Sequence, residues 1–322
     1  MKAVYIEQTG GIEALKYGDL PKPEPAAGHA LVKVVAAGVN FIDTYHRSGL
    51  YKLPLPAIIG SEGAGTVEAV GPGVTEFKPG DRVAWAMFRG SYTEYAAVPV
   101  NLLVKMPAAV EFRDGAAVML QGMTAHYLVH STFPLKQGHT ALIHAAAGGT
   151  GRLVVQMAKM LGARVIGTAG SPQKAEVARK AGADEVILYN EQDFAAETKR
   201  LTGGAGVDVV YDSVGQSTFM KSLDSLKPRG MMVSFGNASG AVPPVEPLLL
   251  TQKGSLYLTR PSLANYIVTR EELDWRAGDL FRWLAEKKLT LLVEHVYKLA
   301  DAAQAHRDLE GRKTTGKLVL IV

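Results

Sequence analysis

The run Ile143-His144-Ala145-Ala146-Ala147-Gly148-Gly149-Thr150-Gly151 is the stretch of this sequence most clearly suited to chemistry. It follows a strand-like segment and precedes a helix-like one, the setting a dinucleotide-binding turn requires. Ala146, Gly148 and Gly151 take the three places of G-x-G-x-x-G, with alanine at the first. Gly148 lets the main chain approach a pyrophosphate, and Gly151 lets the helix pack close to its strand. Free N–H groups over Ala147, Gly148, Gly149, Thr150 and Gly151, at the positive end of a helix dipole, would then face phosphates. An ordinary glycine-rich strand–helix turn looks the same in isolation, but the five alternating elements around this one favour the nucleotide. Twenty residues beyond Gly151 the next strand ends in Thr168-Ala169-Gly170-Ser171. An NAD site places Asp or Glu about 20 residues after the turn to hold the ribose 2′-hydroxyl, and no carboxylate stands here. Gly170 leaves room for a 2′-phosphate, Ser171 offers a hydroxyl and Lys174 a charge. NADPH is therefore the expected cofactor; Lys174 as a solvated helix residue is the plain alternative.

Other reactive side chains are sparse. The chain has no cysteine, which excludes disulfides, thiolate zinc sites, iron–sulfur clusters and cysteine nucleophiles, and fits a reducing compartment. His126 and His130 have the i, i+4 spacing that suits a metal, yet no third ligand accompanies them, and no metal is expected. His144 touches the glycine turn, where strand-end packing explains it as well as function does. His29, His46, His139, His295 and His306 are scattered and receive no assignment. Met119, Met123, Met157 and Met160 read as core filler.

Two kinds of texture must position these groups. Residues 1–122 read as strands and turns: a strand from Val4, a β-like run Ala30–Ala37, another over Gly63–Val70, and turns at Gly71-Pro72-Gly73 and Pro79-Gly80-Asp81. From Gly122 onward strands alternate with helical patterns. Thr140–Ile143, Arg164–Thr168, Glu185–Leu188, Val207–Tyr211 and Met231–Phe235 are predicted strands, with residues 253–258 as a sixth. Arg152–Leu161, a segment opened by Ser171-Pro172, and Asp193–Leu201 are predicted helices. Strand and helix in this alternation imply a parallel sheet with right-handed crossovers. A helix over 271–288 and a final strand Leu318–Val322 that could rejoin the first region complete the chain.

The 322 residues suggest roughly two domains. Hydrophobic residues at 47% and charged residues at 20% exclude disorder as the main state. The net charge of +4 is small for this length, and no basic cluster of nucleic-acid type is present. The N-terminus has no apolar signal core, and no apolar run reaches the roughly 18–20 residues of a membrane helix. A cytoplasmic protein with no membrane partner, and with nucleic acid an unlikely one, is expected.

Several motifs together resemble the medium-chain dehydrogenase/reductase superfamily across essentially the whole chain: Gly60-Ser61-Glu62-Gly63-Ala64-Gly65, Pro79-Gly80-Asp81-Arg82-Val83, the Ala145–Gly151 turn and Asp212-Ser213-Val214-Gly215. Residues 37–45, 47–51 and Ser234-Phe235-Gly236-Asn237 are similar to its zinc-free quinone oxidoreductase branch, which includes zeta-crystallin. The resemblance implies an α/β protein with two domains. One, over 1–122 and 260–322, is a partly open β-barrel-like (GroES-like) catalytic domain. The other, over 123–259, is a Rossmann domain with a doubly wound parallel sheet. Zinc-dependent relatives carry Cys where Asn40 stands, His where Ser61 stands and Cys near Leu120; these three residues cannot supply a tight zinc site. Without a Lewis acid, alcohol oxidation is disfavoured and an electron-poor acceptor is expected.

The resemblance also places residues. The segment with Asn40, Asp43, Tyr45 and the nearby Tyr51 would line the nicotinamide and substrate cleft, with Phe41 touching the cofactor. Asn40 is expected to donate to a quinone oxygen, Tyr45 and Tyr51 to offer flat faces and hydroxyls, and Asp43 to fix its neighbours; half-buried packing is the plain reading of both tyrosines. Thr124 would lie near the nicotinamide, and Tyr189 and Arg312 beside the 2′-phosphate. Ser213, Phe235, Gly236, Asn237 and Arg260 would complete the cofactor site at the carboxyl ends of later strands, although Arg260 and Arg312 also suit a solvated surface. The expected activity is metal-independent hydride transfer from NADPH to a quinone. An NADPH-dependent enone or alkenal double-bond reductase is the alternative, and a non-catalytic NADPH-binding structural or RNA-binding crystallin-like protein is the different-class alternative. A homodimer joined at sheet edges, with residues 253–258 as such an edge, is the expected assembly.

Overall fold

The computed structural model describes every residue of the chain except Arg312. It divides into two compact units, Met1–Met123 with Tyr266–Val322, and Thr124–Asn265.

The unit Thr124–Asn265 is built on a six-stranded sheet. Its strands lie in the order Glu185–Leu188, Arg164–Ala169, Thr140–Ile143, Val207–Asp212, Leu226–Ser234 and Tyr257–Thr259, every neighbouring pair parallel. The chain starts in the middle, works outward to one edge, then returns and works outward to the other. The reversal falls between Thr140–Ile143 and Val207–Asp212, and ligands of such sheets bind at the carboxyl ends of the strands beside it. All six residues of Val207–Asp212 are buried, as expected for a strand with covered faces. Leu142, Ile166, Val210, Phe219, Leu223 and Met232 form the core on one side.

Two differences from the sequence reading have local causes. The helix after the glycine turn runs from Gly149 to Met160, three residues ahead of the predicted start. Its first turn is made of the glycine run itself, which carries no apolar periodicity. The sixth strand is Tyr257–Thr259 and not 253–258. A helix, Pro247–Gln252, ends at Lys253, and Gly254 (φ 111°) and Ser255 (φ 54°) then turn the chain before the strand can start. The predicted start at Ser171 is found as such: its Oγ accepts the Lys174 N–H at 3.3 Å, with Pro172 at the first helical position.

The other unit is a curled, mostly antiparallel assembly centred on one long strand, His29–Val39. Glu62–Val70 pairs along this strand on one side; on the other, Tyr95–Pro99 pairs with its first half and Leu318–Ile321 with its second. Register irregularities at Leu31/Val32 and Val34/Ala36 bend the strand so that it serves both partners. The tail strand thus does rejoin the first region. Val32, Val67, Val83, Trp85 and Leu103 fill one core cluster of this unit, and Ile6, Val39, Ile59, Tyr92 and Leu320 another.

Candidate functional site

In the nucleotide-type unit the site begins with backbone geometry. Gly148 is the N-cap of the helix Gly149–Met160 and no side chain caps that helix, so its first N–H groups are left for an anion. Ala145 is held at φ 49°, an unfavourable place for a residue with a Cβ and of a kind that collects at ligand clamps. Its carbonyl accepts the Gly148 N–H at 2.8 Å. A Cβ on Gly151 would lie 2.3 Å from that carbonyl oxygen, whereas one on Gly148 would keep 3.2 Å. Gly151 therefore allows the turn to close, while Gly148 leaves space for whatever approaches it. Alanine is tolerated at the first fingerprint place because Gly167 on the neighbouring strand makes room: a Cβ there would meet the Ala146 Cβ at 2.8 Å.

The residues expected around a 2′-phosphate come together at the carboxyl ends of Arg164–Ala169 and Glu185–Leu188. A Cβ on Gly170 would sit 2.7 Å from the Tyr189 hydroxyl, and Asn190 donates to the Gly170 carbonyl at 2.7 Å. Ser171 and Lys174 follow at once in the helix start, with the Ser171 oxygen accepting in the cap and its own proton still to give. Ser213 and Phe235-Gly236-Asn237 also adjoin one another: a Cβ on Gly236 would be 2.3 Å from the Ser213 carbonyl. Beneath them, the buried Asp212 carboxylate accepts the Val214 and Gly215 N–H groups at 2.7 and 3.0 Å and the Thr218 and Ser222 hydroxyls at 2.7 and 3.0 Å. His144, 1% exposed, links Thr168 Oγ1 (3.0 Å) to Ser222 Oγ (2.9 Å), so it ties strand ends together. Arg260 is exposed just past the last strand, and Thr124 is half-buried. Arg312 lies outside the described residues.

In the other unit Asn40 closes the long strand and starts the helix Phe41–Ser48. Its surroundings correct the expectation that its amide donates to a quinone. Nδ2 donates to Glu62 Oε1 at 2.8 Å and to the Gly38 carbonyl at 3.4 Å, while Oδ1 accepts from the Lys317 ammonium at 2.8 Å. Both amide hydrogens are therefore engaged within the protein. Lys317 also pairs directly with Glu62. A Cβ on Gly38 would overlap Glu62 Oε1 at 2.0 Å, so glycine there makes the space for this carboxylate.

Asp43 is fully buried and accepts the Asn40 N–H at 2.9 Å, the Ser61 hydroxyl at 2.6 Å and the Tyr92 hydroxyl at 3.1 Å. Burial raises its carboxyl to about 6, against the pull of these donors and of Lys317. Behind it lies a chain whose direction is fixed by chemistry. Arg47 has no acceptor, so its contact with His306 Nδ1 at 3.1 Å makes that nitrogen the acceptor. Nε2 then carries the proton toward Tyr92 Oη at 3.3 Å, leaving the Tyr92 hydrogen for Asp43. Burial, with Arg47 adding to it, pushes His306 down to about 3, which keeps the ring neutral. Arg47 is anchored by two contacts to Glu310, at 2.7 and 3.0 Å.

Tyr45 and Tyr51 meet edge to face with ring centroids 5.3 Å apart, and Phe41 lies 6.3 Å from Tyr45. Tyr51 is 36% exposed and Tyr45 half-buried, so the pair offers an aromatic edge to an incoming molecule. Glu62, Lys317, Tyr92, His306 and Arg47 were not singled out as site residues by sequence. The available signals were Glu62 inside the Gly60–Gly65 motif and Arg47 at the head of the 47–51 motif; His306 had none.

The positions at which zinc-dependent relatives carry ligands do not fit a zinc ion here. Asn40 is engaged by Lys317 and Glu62, Ser61 donates to Asp43, and Leu120 contributes only its N–H, given to Glu62 at 2.7 Å. A buried ammonium in this cluster would repel a dication. Among the described residues no group of three or more His, Asp or Glu side chains is placed to hold a metal.

Comparison with known proteins gives the family. Residues 26–108 match the family model described as Alcohol dehydrogenase GroES-like domain, and residues 149–283 the one described as Zinc-binding dehydrogenase; the second segment contains neither Asn40 nor Ser61. The chain is 48% identical over 322 residues to the quinone oxidoreductase of Pseudomonas aeruginosa, covering 99% of each. It is 43% identical over 328 residues to the 2-haloacrylate reductase of a Burkholderia species, covering 99% of this chain and 98% of the other. The solved Escherichia coli quinone oxidoreductase complexed with NADPH matches it with a TM-score of 0.98 at 46% identity, each chain covered in full. A glycine turn with no acid at the following strand end, an ammonium where a metal would need ligands, and this full-length likeness lead to one conclusion: the chain belongs to the quinone oxidoreductase family of the medium-chain dehydrogenase/reductase superfamily.

Proposed function

We propose that the protein is an NADPH-dependent quinone reductase that works without zinc. The observation that carries this reading is the strand end at Gly170, with the Tyr189 hydroxyl beside it and Ser171 and Lys174 opening the next helix, where an NAD site would have a carboxylate. When bound, NADPH supplies a hydride for the acceptor. The chain's own residues do the rest. The N–H groups of Ala147, Gly149, Thr150 and Gly151 receive the pyrophosphate, that of Gly148 being held by the Ala145 carbonyl, and Ser213, Phe235, Gly236 and Asn237 shape the carboxyl-end rim beside it. Thr124, Phe41, Arg260 and Arg312 belong to the cofactor contacts of this reading. Tyr45 and Tyr51 give a planar acceptor an aromatic wall and hydroxyls, and Asn40 and Asp43 hold the segment that carries them. A quinone accepts negative charge onto oxygen and takes its protons from solvent or a nearby hydroxyl, so no strong acid is needed at the site.

The likeness to a 2-haloacrylate reductase favours a second reading, reduction of a C=C bond conjugated to a carbonyl or carboxylate. Following NADPH absorbance with 1,4-benzoquinone, a naphthoquinone, a simple enone and no acceptor separates the two. Turnover with quinones alone supports the first reading and with enones alone the second; tight NADPH binding with no turnover removes both. Lys174→Glu is expected to weaken NADPH by roughly ten- to a hundredfold, the worth of one charge-assisted contact, and to leave NADH almost unchanged. Equal loss for both nucleotides in a fluorescence titration would refute the role.

Among the described residues no helix is long and apolar enough to cross a membrane. A cytoplasmic setting goes with the proposed reading, since a chain without cysteine gains nothing from an oxidising compartment. A homodimer joined along Tyr257–Thr259 belongs to it as well: this strand is a sheet edge, and Tyr257 on it is exposed. A monomer by light scattering would remove that part.

A further inference from the structure

Lys317 is 2% exposed and Glu62 completely buried, yet neither is a residue whose chemistry the proposed reaction uses. Buried ion pairs are weak sources of stability compared with apolar packing, so their presence asks for another reason. The contacts supply one. Glu62 Oε1 holds the Asn40 amide, and Oε2 accepts the main-chain N–H of Leu120 at 2.7 Å in the middle of the helix Phe112–Tyr127. Ser61 is the preceding residue and is bound to Asp43. One ion pair therefore grips the Asn40 amide and the main chain at Leu120 and adjoins Ser61, itself bound to Asp43.

The backbone is shaped to deliver the ammonium there. Gly316 adopts φ 64° against the Leu292 carbonyl, where a Cβ would come within 2.1 Å, and the Lys317 N–H binds that carbonyl at 2.8 Å. The chemistry of the two ions then dictates the rotamer of Asn40. An ammonium only donates and a carboxylate only accepts, so the amide oxygen must face Lys317 and the NH2 must face Glu62. Burial pushes Lys317 below its ordinary value, and the carboxylates of Glu62 and Asp43 oppose that push.

We propose that Lys317 is a positioning residue for acceptor reduction, acting through Glu62 and the Asn40 amide to fix the segment 38–43 and the main chain at Leu120. This rests on the reading of this unit as the acceptor site. Any group that lies against this frame inherits its precision, and displacement by about 1 Å at a reacting centre costs on the order of a hundredfold in rate.

The test separates positioning from mere charge balance. Lys317→Met alone leaves Glu62 unpaired, so the informative protein is the double variant Glu62→Gln with Lys317→Met, which buries no lone charge. Its fold is checked by thermal melting and by far-ultraviolet circular dichroism. Expected are a wild-type circular dichroism spectrum, kcat for the preferred acceptor at saturating NADPH down roughly tenfold or more, and faster solvent exchange of the Asn40 side-chain NH2 by NMR. A folded double variant with wild-type kcat, or with the Asn40 amide as protected as before, overturns the proposal. If the variants do not fold, the wild-type protein still decides: its Asn40 NH2 must exchange far more slowly than that of an exposed asparagine, and rapid exchange overturns the proposal. A wild-type protein that turns over neither quinone nor enone fails the proposed activity instead, a result distinct from any of these.

Discussion

Gly151→Ala is expected to weaken NADPH binding by at least about a hundredfold, or about 2.7 kcal/mol, while the protein still folds. The added methyl would stand 2.3 Å from the Ala145 carbonyl oxygen, and that carbonyl belongs to a residue already held at φ 49°. The strained turn cannot yield toward the helix, so the main chain between Ala145 and Gly151 must shift. Overpacking of this kind costs about 1–3 kcal/mol in itself, and it falls on the N–H groups that receive the phosphates. Gly148→Ala provides the contrast. Its methyl would keep 3.2 Å from the same oxygen, so the empty turn survives and the loss arises from crowding the ligand. Fluorescence titration with NADPH beside thermal melts of both variants checks this. An unchanged affinity in Gly151→Ala would show that this turn does not bind the pyrophosphate.

The largest expected loss of stability is at Asp212. Its carboxylate is completely buried and receives four donors, from Val214, Gly215, Thr218 and Ser222. Thr218 has a second acceptor in the Gly215 carbonyl, and Ser222 can turn to His144. Among the described residues no other acceptor meets the two main-chain N–H groups, and a buried unpaired donor costs about 1–3 kcal/mol. Asp212→Ala is therefore expected to destabilise the protein by about 3–5 kcal/mol, read from denaturant midpoints. Because residues 213–215 adjoin Phe235–Asn237, NADPH affinity should fall with it. Asp212→Asn, which can still accept at one oxygen, should lose less on both counts. Equal stability of Asp212→Ala and wild type would mean that the loop finds other partners at no cost.

The glycine turn and the strand ends beside it were legible in the sequence because their parts are contiguous. A glycine turn, a strand end without an acid, and a Ser-Pro helix start are local signals whose geometry follows from backbone sterics. The curled unit shows the opposite case. Its central cluster joins Asn40 to Lys317 across 277 residues and Tyr92 to His306 across 214. Nothing in a lysine near the end of the chain, or a histidine amid surface-like residues, marks it as buried. Asn40 shows the consequence: its residue type suggested a free donor, and its neighbours leave none.

Order along the chain was thus enough to determine the alternating strands and helices, the glycine turn and the strand end without an acid, since each depends on residues within a few turns of one another. Only the tertiary structure decided which charges are withdrawn from water, which tautomer His306 holds and which way the Asn40 amide faces. Those properties depend on desolvation and on donors and acceptors meeting from distant segments, and a linear pattern does not encode them.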